Sequence, residues 1–260
     1  MPTGHFSSRL SYRDETITIR PAQSGFTLVE LTIVLVIVAL LLGGMLMSLT
    51  TQQDIANGKE TEKRLNDFRD ALLGFATAQQ RLPCPAIAGA TGIESPAGGG
   101  ACTNNFSGFL PAITLGVTPT DTQGYAIDAW GNRVRYTVTN ANANAFTTTS
   151  GLRTAWAINP ATIQPDLRVC NTAANITNPD TASADCPATD QMTNTAVAIV
   201  FSTGKNGAAA PGGADELANW TSSNDRVFVN TLPSASFDDL LVWLSPNILY
   251  NRLISVGRLP

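Results

Sequence analysis

The chain has 260 residues, of which 43% are hydrophobic and only 14% charged, with a formal net charge of −4. Its length allows one or two domains, and the charged fraction falls well below the roughly 25% of an average soluble protein. The acidic balance argues against a nucleic-acid-binding surface, which is normally basic, so no nucleic-acid partner is expected.

The first charged groups are cationic on balance: Arg9, Arg13 and Arg20 precede residue 25, together with His5, the one histidine. From residue 31 to 53 there is no charge, and 33–42 is purely aliphatic. About 20 predominantly apolar residues suffice to cross a bilayer as a helix. The first charge after this run is Asp54. By the positive-inside bias the N-terminus stays cytoplasmic and the bulk of the chain is exported. No small-residue cleavage pattern follows, since 54–58 reads Asp-Ile-Ala-Asn-Gly. A single-pass membrane helix is therefore expected rather than a conventional signal peptide.

At the head of the apolar run stands Gly25-Phe26-Thr27-Leu28-Val29-Glu30-Leu31. This heptapeptide resembles the processing motif of type IV pilins and type II secretion pseudopilins: Gly before the cut, Phe after it, Glu at the fifth mature position. The resemblance implies that a prepilin peptidase cleaves between Gly25 and Phe26 and N-methylates the new Phe26 amine, making 1–25 a leader. It also implies that Glu30 neutralises the Phe26 amine of an adjacent subunit during filament assembly. The physical setting agrees, because a carboxylate at the edge of an apolar span is costly and usually faces a partner. Two departures stand out. Gln23-Ser24 occupy positions where such proteins often carry basic residues, and Gly43-Gly44 rather than a proline interrupts the apolar segment.

Beyond the span, Leu65, Phe68, Leu72, Phe75, Gln79 and Leu82 recur at helical spacing. Glu60 and Arg64 form an i,i+4 pair on the polar side, and Pro83 and Pro85 end the pattern. One helix over 26–82 is predicted, about 85 Å long. Its half 26–53 is apolar all round (membrane span and filament core), and its half 54–82 is amphipathic. Residues 83–260 then make a periplasmic globular head. Within it, 83–124 is dense in glycine and proline and reads as connecting loop. Cys84, Cys102, Cys170 and Cys186 suit two disulfides in an exported domain. Of three possible pairings, Cys84–Cys102 with Cys170–Cys186 is preferred, each closing a loop rich in small and polar residues.

The segment Asp128-Ala129-Trp130-Gly131-Asn132 resembles the stretch leading into the sheet of major pseudopilins, and reads as a turn with a buried Trp130. Strands are predicted at 133–139, 153–158, 195–202 and 226–229, with a turn at 202–207. The stretch 237–244 is strand or helix, and a last helix opens at Ser245-Pro246 and ends near Gly257. The class is α+β and pilin-like: a long N-terminal helix packed on a small antiparallel sheet with disulfides.

With no histidine after His5, a Ser-His-Asp or Cys-His arrangement is impossible beyond the leader, and no enzyme is expected. Calcium is the one cofactor raised. Major pseudopilins carry a calcium loop, 202–207 is similar to the turn near it, and Asp215, Glu216 and Asp225 supply oxygen ligands. Lys205-Asn206, however, stands where an acidic residue would be expected. Asp238-Asp239 should point to opposite faces of a strand, on a solvated flank. The expected function is a structural subunit, a pseudopilin or minor pilin, of a type II secretion or type IV pilus filament. The alternative is a pilus-tip adhesin or DNA-uptake subunit. Expected partners are the prepilin peptidase, other pilin or pseudopilin subunits and the inner membrane.

Overall fold

Thr27 sets the start of the first helix. Its hydroxyl accepts the Glu30 N–H at 3.2 Å and its carbonyl accepts the Leu31 N–H at 3.1 Å. Helix α1 is Leu28–Gln79. The computed structural model describes residues 25–260, except 179–180, 182, 208, 210 and 221–225 and the side chains of 44–49. The 1–24 portion of the expected leader therefore lies outside the described residues. The chain divides into a unit ending at Leu49 and a second unit, Thr50–Pro260.

In the first unit, every described side chain of 25–43 is exposed, and all but Glu30, two threonines and the glycines are apolar. No helix among the described residues is long and apolar enough to cross a membrane. The expected span, 26–53, includes 44–49, whose side chains lie outside the described residues.

In the second unit, α1 buries Thr61, Leu65, Phe68, Leu72 and Ala76. The stripe thus holds at Leu65, Phe68 and Leu72 but turns to Ala76, leaving Phe75 half-buried and Gln79 exposed. A helix of 3.6 residues per turn drifts away from a 3-4 alternation, which explains the shift. Gln80, with φ of 59°, reverses the chain, and Leu82 is buried beyond the helix rather than on it.

Among the described residues seven strands follow: β1 Gly108–Phe109, β2 Arg135–Val138, β3 Leu167–Cys170, β4 Gln191–Ala196, β5 Ala198–Ser202, β6 Val227–Val229 and β7 Leu240–Leu244. One sheet runs β1-β2-β5-β7, all antiparallel, with Tyr136 opposite Val200 and Val200 opposite Val242. The other runs β4-β3-β6, with β3 and β6 parallel. Strand β5 is buried at all five positions because it is covered on both faces. Ala198 and Val200 join Leu65, Phe68, Leu72, Leu249 and Leu253 under the helices. Ile199 and Phe201 join Leu167, Val169 and Phe228 of the second sheet. Alternate side chains of a strand point to opposite faces, so one strand serves two cores.

The remaining helices are α2 Ala112–Leu115, α3 Ala141–Asn144 (one turn with positive φ at its last three residues), α4 Gly151–Ile158, α5 Ala214–Asn219 and α6 Pro246–Ser255. The disulfides are Cys84–Cys102 and Cys170–Cys186. A mixed helix and antiparallel sheet fold with two disulfides is what the sequence led one to expect, but four readings need correction. The stretch 153–158 is helix α4, not strand: Leu152, Ala155 and Trp156 share one helical face against the core. The stretch 195–202 is parts of two strands in two sheets, parted at Val197. The loop 83–124 contains β1 and α2, and β3 went unread.

The fourth concerns Asp128-Ala129-Trp130-Gly131-Asn132. Trp130 is only half-buried, and the buried residue is Asp128. Its Oδ1 accepts the N–H groups of Trp130 and Asn132 (2.9 and 2.8 Å), and its Oδ2 accepts the Ser202 hydroxyl (2.5 Å). Its carbonyl takes the Arg64 guanidinium at 2.8 Å, and Ala129 N–H donates to Thr61 at 3.1 Å. The turn is a bracket between α1 and the end of β5, organised by a buried carboxylate whose pKa burial raises.

Candidate processing and assembly motif

Thr27-Leu28-Val29-Glu30 has the spacing of a capping box, in which an N-cap Thr hydroxyl takes the N–H of the third helical residue. The Glu30 N–H to Thr27 hydroxyl bond is that interaction. Glu30 therefore stands in the first turn of α1, where the helix dipole favours a negative charge. Its side chain is exposed. Sequence reasoning gave Glu30 an intermolecular role and missed this local one, although the T-x-x-E pattern was visible.

Phe26 is 82% exposed and precedes the cap. At Gly25, an added Cβ would meet nothing within 4 Å. Nothing in the described fold thus requires a glycine there.

A family model for the prokaryotic N-terminal methylation motif matches residues 20–46. The chain carries the type IV pilin-like methylation motif. No curated protein and no solved structure matches it. The methylation motif implies processing by prepilin peptidase and assembly with other pilin subunits. Its matched span covers Gly25, Phe26 and Glu30 together with the apolar segment behind them.

Of the candidate calcium ligands, Asp215 and Glu216 do not share a carboxylate cluster among the described residues. Asp215 accepts the Ala173 N–H at 2.6 Å and the Thr172 hydroxyl at 3.2 Å. Asp225 lies outside the described residues. Glu216 instead gathers with Asp238 and Asp239, whose carboxylate oxygens lie within 4.8 Å of one another. This overturns the reading of Asp238-Asp239 as a solvated flank. β7 begins only at Leu240, so strand alternation does not govern the pair, and Asp239 is buried.

The cluster is well supplied with donors. Glu216 accepts the Gly212 N–H, the Asn206 amide (2.9 Å) and the Asp238 N–H (2.9 Å). Asp238 Oδ2 accepts Lys205 N–H at 3.0 Å, and Asp239 accepts the Asn219 amide at 2.8 Å. Gly204, at φ of 63°, allows this close approach, since a Cβ there would fall 2.3 Å from Asp238 Oδ1. Burial works to raise the Glu216 pKa, but the N–H and amide donors outweigh it and hold it low. Burial and the Glu216 charge push Asp238 up. Burial pushes Asp239 up to about 7, helped by the same two neighbours against the Asn219 bond. The three could offer oxygens to a hard cation, and Asp238 Oδ1 is buried without a partner. Within the cluster, then, Glu216 is held low while Asp238 and Asp239 are pushed up. The Lys205 ammonium is turned away, to Asp54 at 2.6 Å.

Proposed function

We propose that the protein is a structural, non-catalytic subunit, a pseudopilin or minor pilin, of a type II secretion or type IV pilus filament. In this reading prepilin peptidase cuts between Gly25 and Phe26 and methylates the Phe26 amine. The apolar segment of α1 holds the precursor in the inner membrane, with the head in the periplasm, and later packs among its counterparts in the fibre. The observation that carries it is the methylation motif at 20–46. The exposed apolar residues behind Phe26 support it. An exposed aliphatic helix surface needs lipid or another helix to cover it.

Gly25→Ala tests the reading in a strain with active peptidase. The variant should accumulate as the longer precursor, with the melting temperature of its head unchanged because the added methyl group meets no neighbour. Normal processing of Gly25→Ala would remove the proposed role.

A further inference from the structure

Six arginines of the second unit are matched to carboxylates: Arg64–Glu60, Arg69–Asp70, Arg81–Glu94, Arg133–Asp121, Arg168–Asp185 and Arg226–Asp166. Arg135 is not. Among the described residues it has no acidic partner, and its Nε is buried with no hydrogen-bond acceptor. Arg153, Arg252 and Arg258 also lack an acidic partner there, but the first two are exposed to water, and the half-buried Arg258 donates its Nε–H to the Thr77 carbonyl at 3.2 Å, a bond that the Arg135 Nε does not have. Arg135 is half-buried on β2, and burial lowers its pKa from the ordinary arginine value. A desolvated cation without a counter-charge costs stability, and such groups are normally paired.

Arg135 lines a cavity of about 240 Å³ together with Phe109, Asn132, Thr203, Asn219 and Trp220. Its guanidinium lies 5.2 Å from the Phe109 ring centre, which supplies partial compensation. The neighbouring cation, Arg133, is already held by Asp121 at 2.6 Å. The Asn219 amide is spent on Val229 and Asp239, and the Asn132 amide on Gly204. What the cavity has left to offer is a guanidinium fork, the Thr203 hydroxyl, and two aromatic walls, Phe109 and the half-exposed Trp220.

We propose that this cavity binds a carboxylate of a partner polypeptide, with Arg135 as the paired donor and Phe109 and Trp220 flanking the apolar group beside it. The planar guanidinium matches a carboxylate with two parallel bonds. One cation balances one negative charge, whereas a phosphate would be left under-neutralised. The volume is below the roughly 300–1,000 Å³ of sites that enclose a whole ligand, so it suits an end group carried by a larger molecule. The site stands apart from the methylation motif and does not depend on it.

The test is NMR titration of the detergent-solubilised full chain, following the Arg135 Nε–H signal assigned by its loss in Arg135→Gln. The probes are N-acetyl-L-phenylalanine, its carboxamide, and acetate. The free acid should shift the signal, and the carboxamide and acetate should bind at least about tenfold more weakly, the loss of one charge-assisted pair or of its apolar neighbour. Trp220→Ala, at a half-exposed position, should weaken the acid by a similar factor. Equal binding of acid and carboxamide, or no shift of Arg135 with the acid, would overturn the proposal. Acetate binding as tightly as the larger acid would assign the cavity to free anions and overturn the polypeptide partner. Arg135→Met keeps the packing of the stem and should not lower the melting temperature. A clear drop would show that Arg135 serves stability, and would also overturn it.

Discussion

The Glu30 carboxylate stands exposed in the first turn of its own helix, whose N-terminus favours a negative charge, and in the proposed filament it would instead meet the Phe26 amine that cleavage releases on an adjacent subunit. A carboxylate exposed at a helix start is stabilised by the dipole by only about 0.3–1 kcal/mol. A charged amine in an apolar setting is a far stronger partner. Glu30→Ala should therefore still be processed, at little cost to the fold, yet fail to enter filaments. Normal incorporation, read by pull-down of assembled fibres, would remove the pairing role.

The buried charges of the head give predictions of opposite pH sign. Asp239 is raised to about 7 in the folded chain, chiefly by burial. The folded state thus holds a proton that the unfolded chain gives up near pH 4, and stability falls as pH rises from about 4 to about 7. Asp239→Asn should flatten that fall, by an upper bound on the order of 4 kcal/mol, while keeping a polar side chain beside Asn219. Melting curves at pH 5 and pH 8 read it directly, and equal slopes for both proteins would refute it. Millimolar calcium should leave the melting temperature unchanged, and a rise would show that a cation, not protons, neutralises the cluster. Glu94 works the other way. Burial opposes its charge, but the Arg81 guanidinium (2.6 and 2.7 Å) and the Cys84 N–H (3.1 Å) hold its pKa low. Its contribution is present above its unfolded pKa and fades as pH falls through the folded one. Glu94→Gln leaves Arg81 buried and uncompensated and should cost about 3–5 kcal/mol in chemical denaturation. A loss under about 1 kcal/mol, the size expected of an exposed pair such as Lys205–Asp54, would contradict it.

At the level of elements, the legible parts were those with long periodic patterns. Leu65, Phe68 and Leu72 were readable because a helical face repeats over several turns, and each is now fully buried. Leu72→Ala should accordingly lose about 2–5 kcal/mol, measured by denaturant unfolding; a change below about 1 kcal/mol would mean the face is not packed. Short segments were not legible. The eight residues of α4 contain enough β-branched and aromatic side chains to imitate a strand, and only the packing of Leu152 beside Ala155 and Trp156 decides for helix. β3 pairs in parallel with β6 across a long connection, a contact that no local pattern announces. The acidic cluster was hidden for the same reason. Glu216 and Asp239 meet through α5 and the approach to β7, and their separation in sequence carries no signal. The Arg81–Glu94 pair, at the two ends of the loop 82–93, was equally invisible.

At the scale of the whole molecule, the chain has two parts with different surfaces. The described residues before Gly44 expose aliphatic side chains throughout, while the unit Thr50–Pro260 has two apolar cores around one strand and two disulfides. A water-exposed head needs such a core, and a segment with none needs an apolar environment supplied by other molecules. The methylation motif stands at the start of that second kind of segment. The most direct measurement is mass spectrometry of the N-terminal peptide of the protein recovered from a strain with active prepilin peptidase. The predicted result is a chain beginning at N-methylated Phe26. A chain beginning elsewhere, or one retaining residues 1–25, would contradict the filament-subunit reading.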